Sequence, residues 1–176
     1  MDLTELKLKS ERIYEGRIIN LRRDLVRLPN GREASREVVE HPGAVAIIAL
    51  DDEKNVFLVR QYRYPINRET LEIPAGKLDV GEDPLECAQR ELAEEVGLKG
   101  KEWRHLLTFF TTPGFSNEIM YLFLATGLEN HKKDADFDEF IEVVRMPLDE
   151  AVSQVFKGTV QDAKSMVGLL AAARIL

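Results

Sequence analysis

The chain has 176 residues, enough for one domain with a buried core and short for two. Apolar residues make up 44% and charged residues 31%, a globular balance that excludes a fibrous or low-complexity chain. The net charge of -7 argues against non-specific binding to nucleic acid, whose phosphates repel an acidic surface, but not against a small phosphate ligand that arrives with a divalent cation. One cysteine, Cys87, makes neither an intrachain disulfide nor a multi-thiolate zinc site. The N-terminus lacks a basic region followed by an apolar run, so no signal peptide is expected. No stretch approaches the roughly 20 apolar residues of a membrane span. These features lead to the expectation of a cytoplasmic protein with no nucleic-acid and no membrane partner.

In chain order, residues 12–19 and 21–28 read as strands, and the Pro29-Asn30-Gly31 turn returns the chain antiparallel over 36–40. Residues 1–42 are therefore expected to form a small N-terminal antiparallel sheet, apart from a domain over 43–176. His41-Pro42-Gly43 punctuates the chain. The apolar run 44–50 predicts a strand buried on both faces. Strands at 56–63 and 71–74 follow. Residues 83–98 are the clearest helix: Asp83 suits the cap, Pro84 the first turn and Gly97 the stop. Two strands, at 105–110 and 119–125, flank Thr112-Pro113-Gly114-Phe115. A polar loop over 130–138 precedes a strand at 140–145 and helices at 147–156 and 161–175. In the last of these, Lys164 and Arg174 bracket an apolar segment that reads as a packed helix. The alternation predicts a mixed sheet with helices on its faces, an α/β sandwich.

On the helix over 83–98, Leu85, Ala88, Leu92 and Val96 fall on one stripe, which should face the core. Glu91 and Glu95 are four apart and share a face, with Glu94 beside Glu91 and Glu82 just before the helix. Like charges at this spacing repel unless a hard cation sits among them, and carboxylate oxygens suit magnesium or manganese.

The pattern is wider than the helix. Gly76, five residues, Glu82, seven residues, then Arg90-Glu91-Leu92-Ala93-Glu94-Glu95-Val96-Gly97-Leu98 fills all nine defined positions of the Nudix box. With average composition, a chance match in a chain this long has odds of about one in ten million. The sequence thus resembles the Nudix hydrolase superfamily, and the resemblance implies a Nudix-type α/β/α sandwich of the α+β kind. It implies metal ligands at Glu91 and Glu95, with Glu94 and the Ala75 carbonyl beside them, holding two or more Mg2+ or Mn2+ ions. It gives Arg90 the part of orienting the glutamates and Glu82 a supporting part. The implied reaction is attack of water on a diphosphate.

The flanks are similar to the ADP-ribose pyrophosphatase branch. Arg60-Gln61-Tyr62-Arg63, then Leu71-Glu72-Ile73-Pro74-Ala75-Gly76, Pro113 sixteen residues beyond Gly97, and Glu139-Phe140-Ile141-Glu142-Val143 carry that resemblance. It implies hydrolysis of ADP-ribose to AMP and ribose 5-phosphate. Glu139 is the catalytic carboxylate expected from the loop after the box, with Asp136 and Asp138 as rivals and Phe137 where some relatives carry a carboxylate. Arg36, Arg63, Glu72, Gly114 and Phe115 are the expected substrate contacts, and Glu94 and Arg90 belong to the catalytic set. The branch further implies a homodimer through the N-terminal strands. His41, His105 and His131 show no ligand spacing, and Cys87 reads as a bystander. Alternatives are a pyrophosphatase for GDP-mannose or another nucleotide, a module that binds ADP-ribose without cleaving it, and a structural interaction domain. The complete box and the lack of room for a DNA-binding domain weigh against the module.

Overall fold

The structure, a computed structural model, describes residues 1–131 and 140–175. It forms two compact units, Met1–Gly43 with Phe110–Ile119, and Ala44–Phe109 with Met120–Leu176. The first unit is an antiparallel sheet of β1 (Leu6–Glu15), β2 (Asn20–Arg27) and β3 (Glu33–Glu40) in that order. The turn between β2 and β3 closes as expected, the Gly31 amide donating to the Leu28 carbonyl at 2.9 Å. The first strand begins earlier than the apolar pattern predicts. It ends at Glu15 because Gly16 turns the chain, its amide donating to the Ile19 carbonyl. β1 is exposed along its whole length. The loop over 110–119 is held by Val39, whose amide donates to the Phe115 carbonyl at 2.8 Å and whose carbonyl accepts from Asn117.

The second unit contains two sheets. β4 (Ala44–Ala49), β7 (Ala75–Lys77), β8 (Leu98–Phe110) and β9 (Ile119–Asn130) form one, in the order β7-β4-β9-β8. It is mixed, since β4 runs parallel to β9 and antiparallel to β7. β5 (Asn55–Arg63), β6 (Arg68–Glu72) and β10 (Glu142–Pro147) form the other, in the order β10-β5-β6. The helices are α1 (Pro84–Glu91), α2 (Leu148–Phe156) and α3 (Ala163–Ile175). Every residue of β4 is buried. Its side chains alternate between two cores, as the pleat requires. Ala44, Ala46 and Ile48 join Met120, Leu122 and Leu124 of β9 against Ala151, Leu169 and Ala172 of α2 and α3. Val45, Ile47 and Ala49 join Phe123 and Ala125 against Cys87, Ala88 and Leu92 of the α1 segment. One helical layer thus covers each face of the mixed sheet, the sandwich expected from the alternation.

Two local features depart from the sequence pattern. β7 is three residues long, too short to leave a periodic signal, and exists because it pairs with β4. The helix over 83–98 is not uniform: α1 passes at Leu92 into a π turn, Leu92–Val96. The wider turn changes which side chains face inward. Cys87, Ala88, Leu92 and Ala93 are buried, while Leu85 and Val96 are half-buried at the margin. Cys87 is therefore a core residue. No described helix is long and apolar enough to cross a membrane.

α3 packs so closely on the sheet that a methyl group at Gly168 would press on Ile73 and Ile48. Leu169, fully buried beside it, should carry much of this contact. Leu169→Ala is expected to cost about 2–5 kcal/mol in urea unfolding followed by circular dichroism. A loss under about 1 kcal/mol would contradict the packing of α3 against β4 and β9.

Candidate active site

The box helix starts and stops on the residues its sequence singles out. The Asp83 carboxylate accepts from the amides of Leu85 and Glu86, and Pro84 occupies the first turn, where no amide is needed. Gly97 ends the π turn with φ 73° and ψ 31°, a left-handed conformation that glycine adopts without strain. Along this segment one guanidinium collects three carboxylates. Arg90 Nε and Nη2 donate to the two oxygens of Glu82 at 2.9 and 3.1 Å. Its Nη1 donates to Glu91 at 2.7 Å and to Glu94 at 2.9 Å. The hydrogen bonds from Arg90, opposed by modest burial, hold the Glu82 carboxyl down at about 2, and Glu82 also accepts from the Asp79 amide. The same bond to Glu82 raises the Arg90 pKa above its ordinary value.

β7 supplies the other side. Gly76 lies under Glu91, and any Cβ at position 76 would collide with the Glu91 carboxylate. The box glycine is thus required by close approach. The Ala75 amide donates to Glu95 Oε2 at 2.9 Å, so the terminal glutamate is tied to the same short strand. Glu91, Glu94 and Glu95 and the Ala75 carbonyl, the four ligands the resemblance implies, therefore come from two adjacent elements. These are hard oxygen donors of the kind magnesium and manganese take. Among the described residues, no three acidic, imidazole or thiol groups form a ready-made cage. Arg90 and the Ala75 amide engage the oxygens that would converge. The oxygen donors and the close approach at Gly76 fit a divalent ion, which would take up oxygens now held by Arg90 and the Ala75 amide.

A second cluster is built around one buried carboxylate. Glu72, at the end of β6, has a side chain only 2% exposed. Arg63 grips it with two bonds, Nε to Oε1 at 2.8 Å and Nη2 to Oε2 at 2.7 Å. Thr70 Oγ1 donates to Oε1 at 2.5 Å, and Lys164 Nζ donates to Oε2. Burial alone would push the Glu72 carboxyl up, but Arg63, Lys164 and Thr70 outweigh it and hold it at about 2. Lys164 also donates to Asp162 at 2.8 Å, and Asp162 accepts from the Ser165 amide and hydroxyl at the start of α3. Ser165 Oγ in turn accepts from the Ile73 amide. The pKa of Arg63 is raised, first by Glu72 and further by the charge of Glu95, which links the two clusters.

The expected site residues divide accordingly. Arg90, Glu91, Glu94 and Glu82 are in direct contact, Glu95 is bonded to Ala75, and Arg63 is bonded to Glu72. Both Glu72 oxygens are taken by protein donors, and its side chain is almost fully buried. Arg36, Gly114 and Phe115 belong to the other compact unit. Arg36 there pairs with Glu5 through Nη2 at 2.6 Å and Nε at 2.9 Å. Gly114 has open space where a Cβ would stand, so no group among the described residues demands glycine there, and Phe115 is exposed. Glu139, Asp136, Asp138 and Phe137 lie outside the described residues. Sequence reasoning missed Lys164, Asp162, Ser165 and Thr70. Only Thr70, two residues before Glu72 on the same strand face, left a local signal.

The Glu72 pKa lies below its ordinary 4.5, so this group stabilises the fold fully above about 4.5, and the contribution fades as pH falls towards about 2. Urea midpoints at pH 5, 4 and 3 should therefore fall more steeply for the wild type than for Glu72→Gln. Parallel slopes would show that Glu72 is not held as described.

Comparison with known proteins gives the family. Residues 40–168 match the NUDIX domain, and residues 5–39 match the nucleoside diphosphate sugar hydrolase N-terminal domain. A methanol dehydrogenase activator from Bacillus methanolicus is 42% identical, the match covering 94% of this chain and 90% of the relative. An ADP-ribose pyrophosphatase from Bacillus subtilis (strain 168) is 44% identical, covering 93% of this chain and 89% of the relative. The fold matches the crystal structure of an ADP compounds hydrolase with a TM-score of 0.87 at 23% identity, covering 99% of this chain and 95% of that one. The full box, its glutamates gathered by Arg90, and the family match over most of the length lead to one conclusion: the chain belongs to the Nudix family of hydrolases.

Proposed function

We propose that this chain hydrolyses the diphosphate of ADP-ribose to AMP and ribose 5-phosphate in the cytoplasm. The observation that supports this reading is the placement of Glu91 and Glu94 on Arg90 and of Glu95 on the β7 residue Ala75, with the charge of Glu95 acting on Arg63. The similarity to an ADP-ribose pyrophosphatase supports the choice of substrate. Glu91, Glu95 and Glu94, with the Ala75 carbonyl, would hold two or more Mg2+ or Mn2+ ions. When bound, such ions neutralise the diphosphate and make water a better nucleophile. Arg90 keeps the glutamates in place through its fork on Glu82. Arg63 and Arg36 offer planar donors to the phosphates. Gly114 and Phe115 are the further substrate contacts that this reading assigns. Glu139, ahead of its rivals Asp136 and Asp138, takes the proton of the attacking water. Water adds to one phosphorus, the bond from that phosphorus to the bridging oxygen breaks, and the two monophosphates leave.

A panel of ADP-ribose, GDP-mannose and nucleoside triphosphates, turned over with magnesium in oxygen-18 water and read by mass spectrometry, tests this. ADP-ribose should show the highest kcat/KM, and one product should carry a single heavy oxygen. Glu95→Gln should lower turnover about a hundredfold while the fold survives. A higher kcat/KM for GDP-mannose would move the substrate and leave the reaction in place. Near-normal turnover of Glu95→Gln would overturn the metal assignment.

We also propose that residues 1–42 form a dimerisation element for the catalytic domain over 43–176. A small sheet gains stability when an apolar face is packed against another surface. This one leaves Leu6, Leu8, Ile13, Tyr14, Ile18 and Ile19 exposed. A second copy is the partner that would cover them and place Arg36 at the neighbouring site. Light scattering at micromolar concentration should report a dimer. Arg36→Ala and Glu95→Gln subunits, refolded together, should regain part of the activity that each lacks alone. A monomer, or a mixed dimer that regains nothing, would rule out the shared site.

A further inference from the structure

The donors around Glu72 are more than Arg63 alone requires. A carboxylate offers about four acceptor sites, and here all four are filled. Oε1 takes Arg63 Nε and Thr70 Oγ1; Oε2 takes Arg63 Nη2 and Lys164 Nζ. The arrangement divides evenly. If Arg63 lets go, each oxygen keeps one donor, Thr70 on one and Lys164 on the other, and the carboxylate keeps one positive charge beside it. Arg63 is also the member of the cluster that faces outward. Its side chain is 41% exposed, against 2% for Glu72 and 10% for Lys164. Its charge is coupled to Glu95 in the box. Lys164 is itself fixed from behind by Asp162, which caps α3 together with Ser165, and Ser165 holds the Ile73 amide next to Glu72.

We infer that Lys164 is a positioning residue that holds Glu72 in Arg63's absence, so that the Arg63 guanidinium can leave its buried partner and close on an anionic phosphate. Without Lys164, the departure of Arg63 strands a buried carboxylate with no counter-charge, which is strongly disfavoured. Arg63 is then locked on Glu72. Thr70 supplies a hydrogen bond but no charge, so it does not replace Lys164. The inference rests on the proposed role of Arg63 as a phosphate contact.

Two measurements separate the inference from that reading. The first needs no substrate. Nitrogen-15 NMR follows solvent exchange of the Arg63 Nε proton in the wild type, Lys164→Met and Lys164→Arg. Exchange should be slower in Lys164→Met by about threefold or more, since Arg63 is then the sole cation on Glu72, and Lys164→Arg should restore it. Unchanged or faster exchange in folded Lys164→Met overturns the inference, whatever the substrate proves to be. If the Met variant does not fold, Lys164→Gln, which keeps hydrogen-bonding atoms and removes the charge, is read in its place. The second measurement is kinetic. With ADP-ribose, Lys164→Met should raise KM about tenfold with kcat changed far less, because the loss falls on ground-state capture of the phosphates. Arg63→Ala is run alongside. If Arg63→Ala leaves KM unchanged, the phosphate role of Arg63 fails and the exchange data alone decide the Lys164–Glu72 link. If Arg63→Ala raises KM and Lys164→Met does not, the inference fails while the function stands.

Discussion

The arrangement of the box depends on one cation set among carboxylates. Glu82, Glu91 and Glu94 would repel one another on a bare helix, and a helix alone gives them no reason to converge. Arg90 resolves this with the fixed fork of its guanidinium. Nε and Nη2 lock onto Glu82, which pins the loop before the helix. That leaves Nη1 for Glu91 and Glu94 together. A lysine would offer a point charge but not this division of donors between two directions. The guanidinium also lies against the Lys77 carbonyl and the Cys87 sulfur, so it stands at the junction of β7 and α1.

The segment over 72–77 receives this order and passes it on, because nearly every residue in it is tied to a different element. Glu72 is held by Arg63 and Lys164, and the Ile73 amide by Ser165. The Pro74 carbonyl accepts from Ile47 at 2.8 Å. The Ala75 amide holds Glu95, and Gly76 carries Glu91 over its bare Cα. Here the chain crosses from the β10-β5-β6 sheet to the mixed sheet. A segment fixed at successive residues can set a carboxylate to within the tolerance that phosphoryl chemistry needs, which a free loop does not.

The two charged clusters differ in their balance of charge. Around Arg90 the negative groups are in excess, which suits a site that takes up cations. Around Glu72 the charges balance, Arg63 and Lys164 against Glu72 and Asp162, and Arg63 is the most exposed of the four. The charge of Glu95 also acts on Arg63, so the two clusters are electrostatically linked.

Much of this was legible in the sequence. The box spacing named Glu91, Glu94, Glu95 and Arg90. The caps Asp83 and Gly97 marked the ends of the helical segment, and the run of apolar residues from Ala44 identified a strand buried on both faces. These are local properties: periodicity, capping and spacing act between near neighbours in the chain. Tertiary structure alone decided the rest. The π turn at Leu92 shifts Ala93 into the core, and no helical wheel anticipates it. β7 exists only because β4 lies beside it. Lys164 reads from sequence as a charged flank of an apolar helix, yet folding buries it against a carboxylate 92 residues away. Glu72 is buried and paired with Arg63 and Lys164, partners that its local sequence does not reveal. A local pattern sets which conformation a segment prefers. Which distant groups share a buried space depends on how sheets and helices stack, and a buried charge then takes the partners that stacking provides.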